Sequence, residues 1–311
     1  MRVLAAVAAL FAGACCTSLP RLVPKRVALR DIVRESDGVG VSRADWRDEQ
    51  RGRDVPVTIY APADAVRALP VVVFSHGIGE DRDSYEWLGR ALAERGFLTV
   101  HLTHAGTDRA VLERGYLQLY RAVKRKENWV NRPLDVSFVL DRLAADPRAD
   151  MTRVAVVGHS AGAFTAFAVA GLQMAGGSLR DRRVRVVIPI SMPRIDGVVI
   201  PGGYDAIDIP VLNMTGTCDT SIIYRTFPRH RRIPFESARG GLQYLVTLDG
   251  ATHDSFVIRD RRAPAIIELV AAFLRGWLLD DLAARSWFDE EGLAVVEGTP
   301  ISVERKRDGA R

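Results

Sequence analysis

A serine flanked by glycines stands at the end of an apolar run. Residues 158–162 read Gly-His-Ser-Ala-Gly, and residues 154–157 before them read Val-Ala-Val-Val. The apolar run predicts a buried strand, and the stretch after Gly162 is compatible with a helix. A sharp turn between the two leaves almost no room beside the serine, which explains the glycines two residues before and after Ser160. Such a turn would lift the Ser160 hydroxyl out of the sheet, where it can attack a carbonyl carbon.

Ser160 needs two partners for this chemistry. A serine hydroxyl is a poor nucleophile at neutral pH, so it requires a base within hydrogen-bond reach. The base in turn needs a carboxylate that fixes its tautomer and stabilises its cation. We therefore look for one histidine and one acidic residue that the fold can bring to Ser160.

Strands and helices alternate along most of the chain. Short apolar runs predict strands, and apolar residues at helical spacing predict helices between them. The expected strands are 55–60, 71–74, 97–102, 154–157, 184–190, 211–214 and 244–248, and the expected helices are 83–95, a helix starting at Pro133, 161–174 and 264–279. This order predicts an α/β fold with a mostly parallel central sheet and helices on both faces. Pro56 favours an edge position for the first strand.

Two long stretches interrupt the alternation, residues 105–132 and 222–241. Loops of this length in a compact domain are typical of lids or substrate-binding segments. Their aromatic residues are candidates to wall a pocket, although packing within the loops is the more common role.

The segment around Ser160 resembles the nucleophile elbow of the α/β-hydrolase fold, in which the acid and then the histidine follow the serine along the chain. Only His230 and His253 follow Ser160. His230 lies in an Arg-His-Arg-Arg run that disfavours its cation, so we expect it on the surface. His253 comes after the strand at 244–248 and before the last helix, which makes it the expected general base.

Asp219 is the expected acid of the triad. It follows the strand at 211–214 through a Thr-Gly-Thr-Cys segment, which places it on the next loop at a strand end. Asp196 stays open as an alternative, because some members of this fold carry the acid one strand earlier. Asp208 is a weaker competitor, and Asp254 adjoins the base but is expected to point away from it.

An oxyanion hole needs two backbone N–H groups directed at the developing charge. Ala161, the residue after the nucleophile, is expected to supply one of them. Ile78 is expected to supply the other, from the Ser-His-Gly-Ile-Gly loop at 75–79. The remaining histidines are interpreted as structural, with a pocket-lining position open for His104: His76, His101, His104 and His159.

Several stretches resemble the platelet-activating-factor acetylhydrolase group and its bacterial, dienelactone-hydrolase-like relatives. They are residues 74–79 with the following helix, 96–97, 132–136, 140–141 and 158–162, and the resemblance covers about residues 55–280. It implies a metal-free serine esterase that acts on carboxylic esters with modest acyl groups. The chain departs from the acetylhydrolases at 190–192, where they carry the acid and this chain has Ile-Ser-Met. It departs from true dienelactone hydrolases in having Ser160 instead of a cysteine nucleophile.

Residues 1–18 are predicted to be an export signal, with a basic Arg2, an apolar run at 3–11 and a small-residue cleavage site at 12–14. Cys15 follows that site, so the segment also resembles a bacterial lipoprotein signal, although Ala12 replaces the usual Leu. Two outcomes stay open: a lipid on Cys15 attaches the protein to the cell envelope, or cleavage releases it into the periplasm or medium.

The rest of the chain is predicted to form a leader at 19–50, one catalytic domain at 51–299 and a flexible tail at 300–311. Cys218 is the only cysteine away from the processed N-terminus, so we expect no disulfide framework within the domain. The net charge of +5 comes from 43 Lys and Arg against 38 Asp and Glu. The basic clusters at 121–126 and 225–232 lack the interleaved aromatic platform that binds single-stranded nucleic acid, so they are interpreted as solvated faces.

Together these features predict an exported serine hydrolase for a small-molecule or lipid-like ester. No dinucleotide loop, P-loop or metal-ligand spacing is found, so no cofactor or metal is expected. The same triad would also serve an acyltransferase, a thioesterase or a peptidase. A non-catalytic α/β-hydrolase relative that binds ligands in the cell envelope is the alternative from another class.

Overall fold

A computed structural model describes residues 16, 19, 38–195, 197–239 and 242–306 of the chain. Its ten strands form one sheet in the order β1-β2-β4-β3-β5-β6-β7-β8-β10-β9. The strands are β1 Val39–Asp48, β2 Arg53–Pro62, β3 Leu69–Ser75, β4 Leu98–Leu102, β5 Ala149–His159, β6 Val184–Ile190, β7 Val211–Cys218, β8 Gln243–Thr252, β9 Gly292–Val296 and β10 Thr299–Lys306. The six strands from β4 to β8 in this order are parallel, and the two at each edge are antiparallel to their neighbours. The predicted mostly parallel sheet is confirmed.

Helices cover both faces of this sheet. They are α1 Glu86–Glu94, α2 Arg109–Glu113, α3 Tyr116–Lys124, α4 Lys126–Leu143, α5 Ala161–Ala170, α6 Pro228–Arg231, α7 Ile233–Ser237, α8 Ala263–Leu278 and α9 Leu282–Asp289. One apolar core packs α1, α8 and α9 against the sheet, and a second core packs α4 and α5 against its other face. Every residue of β3 is buried, as expected for a strand covered on both faces. The predicted α/β-hydrolase architecture, with helices on both faces, is confirmed.

The amino-terminal boundary of the domain differs from the prediction. Residues 39–48 of the expected leader form β1, which pairs antiparallel with β2 and places Asp45 opposite Pro56. β2 is therefore not an edge strand. Most side chains of β1 are exposed, so the strand carries little apolar periodicity by which it could be recognised.

The carboxyl-terminal boundary differs in the same way. Residues 299–306, most of which were expected in a flexible tail, form β10 between β8 and β9. Ile301 and Val303 are buried on one face of this strand, and the charged residues between and after them obscure the short alternation. The domain therefore extends beyond both ends of the predicted range of 51–299.

Both long interruptions contain helices. Residues 105–132 include α2, α3 and the start of α4, and residues 222–241 include α6 and α7. Pro133 lies inside α4 and not at its first turn, because α4 begins at Lys126. The first turns of α4 are rich in charge, which hides the buried face formed by Trp129 and Arg132.

The structure contains a disulfide bond between Cys16 and Cys218, with a Cα–Cα distance of 4.5 Å. The expectation that Cys218 has no disulfide partner is therefore wrong. Near the same place, the Leu19 N–H donates to Asp249 Oδ1 at 3.3 Å. Cys16 was expected to belong to the processed N-terminus. Nothing in the spacing of the cysteines indicates that Cys16 lies next to the end of β7. No helix in the described part of the chain has the length and apolar character needed to cross a bilayer.

Candidate active site

Ser160 occupies a strained turn between β5 and α5. Its φ of 54° and ψ of −117° lie in a region that non-glycine residues rarely adopt. A Cβ on Gly158 would lie 2.1 Å from the Gly162 carbonyl oxygen, and one on Gly162 would lie 1.8 Å from the Ser75 carbonyl oxygen. Both flanking glycines are therefore required by close backbone approach. The turn is held by the Ser160 N–H, which donates to Ile190 O at 2.9 Å.

His253 follows the end of β8 and faces Ser160. Its Nε2 lies 3.1 Å from Ser160 Oγ, and its Nδ1 lies 2.9 Å from Asp219 Oδ1. The His253 side chain is 17% exposed, so the imidazole is open to solvent at the mouth of the site. The structure thus brings Ser160, His253 and Asp219, the three residues proposed from the sequence, into one hydrogen-bonded chain.

Asp219 lies directly after β7, and its side chain is completely buried. Oδ1 faces His253 and Arg231 Nη2, and Oδ2 accepts from Ser191 Oγ at 2.5 Å and Thr215 Oγ1 at 2.9 Å. Burial alone would raise the pKa of the Asp219 carboxyl, but the charge of Arg231 and the hydrogen bonds hold that pKa below its ordinary value. The carboxylate is therefore ionised when it faces His253.

The alternatives to Asp219 and His253 have other positions in the structure, or lie outside the residues that it describes. Asp196 lies outside the described residues. Asp208 pairs with Arg180 on the surface at 2.6 Å, and Asp254 is exposed. His230 Nδ1 accepts the Phe227 N–H at 3.2 Å, at the start of α6. Asp208, Asp254 and His230 are therefore not the residues that the structure brings to Ser160.

The two residues expected to supply oxyanion donors, Ile78 and Ala161, lie after β3 and after Ser160 respectively. Within the described residues, no hydrogen-bond acceptor is found for the N–H of Ile78 or the N–H of Ala161. The neighbouring N–H groups are occupied, since Gly77 donates to Glu80 Oε2 at 2.7 Å and Gly79 donates to Thr107 O at 2.8 Å. Both expected donors are thus free to bind an acceptor, as an oxyanion hole requires.

Arg132 braces this loop from α4. Its guanidinium donates to His76 O, to Ser75 Oγ at 3.3 Å, to Thr107 Oγ1 at 2.7 Å and to Thr165 Oγ1 in α5 at 3.2 Å. Burial lowers the pKa of Arg132 to about 10. Since Arg132 has no exposed surface, these bonds fix the loop relative to the elbow helix.

The histidines that were interpreted as structural have partners inside the fold. His104 lies between Ser75 Oγ at 2.8 Å and Asp135 Oδ2 at 2.9 Å, and His76 Nε2 accepts the His104 N–H. His101 contacts Ser84 O through Nδ1. Burial holds the pKa of His76 and of His104 well below the ordinary value, so both rings are neutral.

Sequence analysis missed a chain of polar groups behind the elbow. The Tyr85 hydroxyl lies 2.5 Å from Glu80 Oε2 and 2.6 Å from His159 Nδ1. The His159 ring lies 4.6 Å from the His253 ring, centroid to centroid. Glu80 and Tyr85 precede α1 in the chain, and no spacing in the sequence links them to Ser160.

Arg231 is the other residue that sequence analysis missed. It belongs to the cluster at 225–232, which was interpreted as a solvated face, yet its side chain has no exposed surface. It lies beneath the triad, with Nη2 3.0 Å from Asp219 Oδ1. An arginine within a basic run gives no signal of burial, because its acidic partner comes from another loop.

A cavity of about 340 Å³ opens beside α5 and has mainly apolar walls. Its lining residues are Lys126, Trp129, Val130, Phe164, Met174, Ala175, Gly176, Leu179, Gly197 and Val198. Phe164 lies one helical turn after Ser160, and its ring contacts Trp129 with a centroid distance of 5.0 Å. Within the described part of the chain, no three His, Cys, Asp or Glu side chains are grouped so as to hold a metal ion.

Comparison with known proteins bears on the first half of the domain. Residues 38–192, just under half of the chain, match the model of the family described as chlorophyllase. The match runs from β1 to the end of β6, so it includes the oxyanion loop and Ser160 but not Asp219 or His253. No curated protein matches the chain. The family match indicates an ester hydrolase, and together with the fold it shows that the chain belongs to the α/β-hydrolase superfamily.

Proposed function

We propose that the protein is a serine hydrolase that cleaves carboxylic esters through an acyl-enzyme. The observation that carries the proposal is the continuous contact from Asp219 through His253 to Ser160, with distances of 2.9 and 3.1 Å. Both distances are within the reach that proton transfer requires. The family match to ester hydrolases supports the same reaction class.

Acylation begins when Ser160 Oγ attacks the ester carbonyl carbon. The hydroxyl proton moves to His253 Nε2, while Asp219 accepts the Nδ1–H and stabilises the imidazolium. The carbonyl oxygen becomes an oxyanion, which the N–H groups of Ile78 and Ala161 bind. Collapse of this intermediate breaks the bond to the alkoxy oxygen, and His253 Nε2 returns its proton to the leaving alcohol.

Deacylation uses the same groups in reverse. Water attacks the acyl carbon and gives a proton to His253 Nε2, and a second oxyanion forms in the same hole. When this intermediate collapses, the bond to Ser160 Oγ breaks and Oγ takes the proton back from His253. The products are the carboxylic acid, the alcohol and the regenerated enzyme.

We propose that the cavity beside α5 accepts the acyl or alcohol group of the ester. Its walls are chiefly hydrocarbon, and they include Phe164, which lies four residues after Ser160 in the chain. A site of this kind favours an apolar acyl or alcohol group over a charged one. The Val198→Trp change should fill the cavity and lower kcat/KM for long-chain p-nitrophenyl esters more than for the acetate. Val295→Trp, at an exposed position on β9, is the matched control.

Covalent labelling tests the proposal directly. A fluorophosphonate probe should label the wild-type protein and the His230→Ala control, whereas Ser160→Ala should stay unlabelled. Hydrolysis of p-nitrophenyl acetate should fall by roughly 10⁴-fold or more in Ser160→Ala and His253→Ala. A folded wild-type protein that neither reacts with the probe nor hydrolyses any ester in a panel of rising acyl length would refute the proposal.

We also propose that the protein is exported from the cytoplasm. The signal-like features of residues 1–18 support this, and so does the Cys16–Cys218 disulfide, because disulfides persist in oxidising compartments. Cleavage before Cys15 would keep Cys16 in the mature chain. Mass spectrometry of the mature N-terminus should find Cys15 as its first residue, with a lipid or without one. A mature chain that still begins at Met1 would contradict export through this signal.

A further inference from the structure

We propose that Arg231 is a positioning residue for the reaction, whose guanidinium fixes the Asp219 carboxylate and opposes the positive charge that develops on His253. The inference rests on the proposed function. It assigns a role to a residue that does not touch the substrate and acts only through Asp219 and His253.

All three nitrogen atoms of the Arg231 guanidinium make contacts in the structure. Nη2 lies 3.0 Å from Asp219 Oδ1 and 3.0 Å from His253 Nδ1. Nη1 donates to Ser191 O at 2.6 Å and to Met192 O at 2.9 Å, and Nε donates to Asp219 O at 3.4 Å. An arginine has five N–H bonds; four of them have oxygen acceptors here, and the fifth faces His253 Nδ1. The guanidinium is therefore held in one orientation by the strand ends of β6 and β7.

His253 Nδ1 therefore lies close to both a hydrogen-bond acceptor, Asp219 Oδ1, and a hydrogen-bond donor, Arg231 Nη2, at similar distances. When Nδ1 carries the proton, it donates to Asp219, and Nε2 is free to accept the proton of Ser160. When Nδ1 instead accepts from Arg231, the proton is on Nε2, and Ser160 cannot transfer its own. Asp219 therefore selects the productive tautomer in direct competition with Arg231.

The charges around His253 determine whether removing Arg231 stabilises or destabilises the imidazolium. Asp219 from β7 favours the imidazolium, whereas Arg231 from α6 disfavours it. The His159 ring from β5 is neutral, because burial first and the neighbouring His253 second hold its pKa well below the ordinary value. Asp254 is exposed on the adjacent turn, and Tyr224 adds a buried hydroxyl near Arg231. Removing the Arg231 charge leaves Asp219 unopposed, so the imidazolium becomes more stable.

Two variants and a matched control test this role. In Arg231→Met, the acid limb of the kcat/KM profile for p-nitrophenyl acetate should move to higher pH than in the wild type, because the positive charge beside His253 is gone. Arg231→Lys keeps the charge and should keep the limb near its wild-type position. Arg232→Met is the control, because Arg232 pairs with Glu236 and Glu304 at the surface and does not touch the triad. Coincident acid limbs in Arg231→Met, Arg232→Met and wild type would overturn the inference.

A double variant tests whether Asp219 and Arg231 compete to set the tautomer of His253. Asp219→Ala leaves Arg231 to hold Nδ1 as an acceptor, so Asp219→Ala/Arg231→Met should be about tenfold more active than Asp219→Ala alone. Equal or lower activity of the folded double variant would count against the inference. Removing both members of the buried pair leaves no unpaired charge, so the double variant is expected to fold even where Arg231→Met alone does not.

A readout without turnover separates this inference from the proposed function. The ¹⁵N NMR signals of the His253 ring should show a larger share of the Nδ1–H tautomer in Asp219→Ala/Arg231→Met than in Asp219→Ala. An inactive wild-type protein whose variants show this tautomer difference would refute the proposed function and leave the action of Arg231 on His253 intact. An active wild type whose variants show no such difference would do the opposite.

Discussion

Ser191 Oγ donates a 2.5 Å hydrogen bond to Oδ2 of Asp219. Ser191 directly follows β6 and has a φ of 56°, and Asp219 directly follows β7, so two neighbouring strand ends meet at one buried carboxylate. The end of β6 thus supplies a hydrogen-bond donor, and the end of β7 supplies the carboxylate that faces His253.

Ser191→Ala should lower kcat/KM about tenfold, because a hydrogen bond to a charged group contributes about 1.5–3 kcal/mol and part of it is regained from other donors. Kinetics with p-nitrophenyl acetate measure the change. Thr99→Val is the control, since the Thr99 hydroxyl is buried without a hydrogen-bond partner in the described structure. Unchanged kinetics in Ser191→Ala would show that the bond does not support Asp219.

Gly162→Ala should abolish folding or activity, because the new Cβ would fall 1.8 Å from the Ser75 carbonyl oxygen. The backbone would have to move at the elbow, which carries both Ser160 and the Ala161 N–H. Circular dichroism and fluorophosphonate labelling give the two readouts. Gly40→Ala adds the same methyl group 3.7 Å from the Ala61 carbonyl oxygen, an ordinary van der Waals distance, and it should behave like the wild type. A labelled, folded Gly162→Ala protein would contradict the steric argument.

The ionisation of Glu80 should lower the free energy of unfolding as the pH rises. Burial raises the pKa of its carboxyl to about 7, against hydrogen bonds from Tyr85 and Gly77, whereas the unfolded chain has the ordinary value of 4.5. The folded state therefore binds a proton more tightly than the unfolded state, and this stability is complete below pH 4.5 and lost as the pH rises through 7.

The Glu80→Gln variant isolates this effect, since its amide does not titrate. Between pH 5 and pH 8 the wild type should lose roughly 2 kcal/mol relative to Glu80→Gln, a figure reduced for the partial exposure of Glu80. Urea unfolding of both proteins at the two pH values measures the difference. Parallel changes in the two proteins would mean that Glu80 does not titrate in this range.

The Cys16–Cys218 disulfide should stabilise the domain. It joins residues that are 202 positions apart in the chain, and it restricts the unfolded state accordingly. Cys16→Ser/Cys218→Ser should lower the free energy of unfolding by roughly 2–4 kcal/mol. Dithiothreitol should lower the Tm of the wild type and leave the Tm of the double variant unchanged. An equal effect of dithiothreitol on both proteins would exclude a stabilising bond at this position.

The central sheet could be predicted because its strands are buried on both faces. β3, β6 and the second half of β5 are almost continuous apolar runs, which the sequence displays directly. The topology then places the residues after β5, β7 and β8 at one edge of the sheet, and this is why Ser160, Asp219 and His253 could be named together. The glycines around Ser160 could be interpreted because backbone contact excludes every larger residue.

The features that escaped prediction depend on distant partners. β1 is mostly exposed, and it is held by pairing with β2 instead of by an apolar face. Arg231 lies in a basic run, and only the loop that carries Asp219 gives it a reason to be buried. Cys16 finds Cys218 through the path of the chain and not through spacing. In each case the deciding contact lies outside the local sequence window.

The link between Cys16 and Cys218 closes a covalent ring that contains Ser160 and leaves His253 outside it. A protease that cuts once within this ring cannot release a fragment, because both pieces stay joined through sulfur. The nicked protein would keep its nucleophile, acid and base in one molecule, and it would come apart only after reduction.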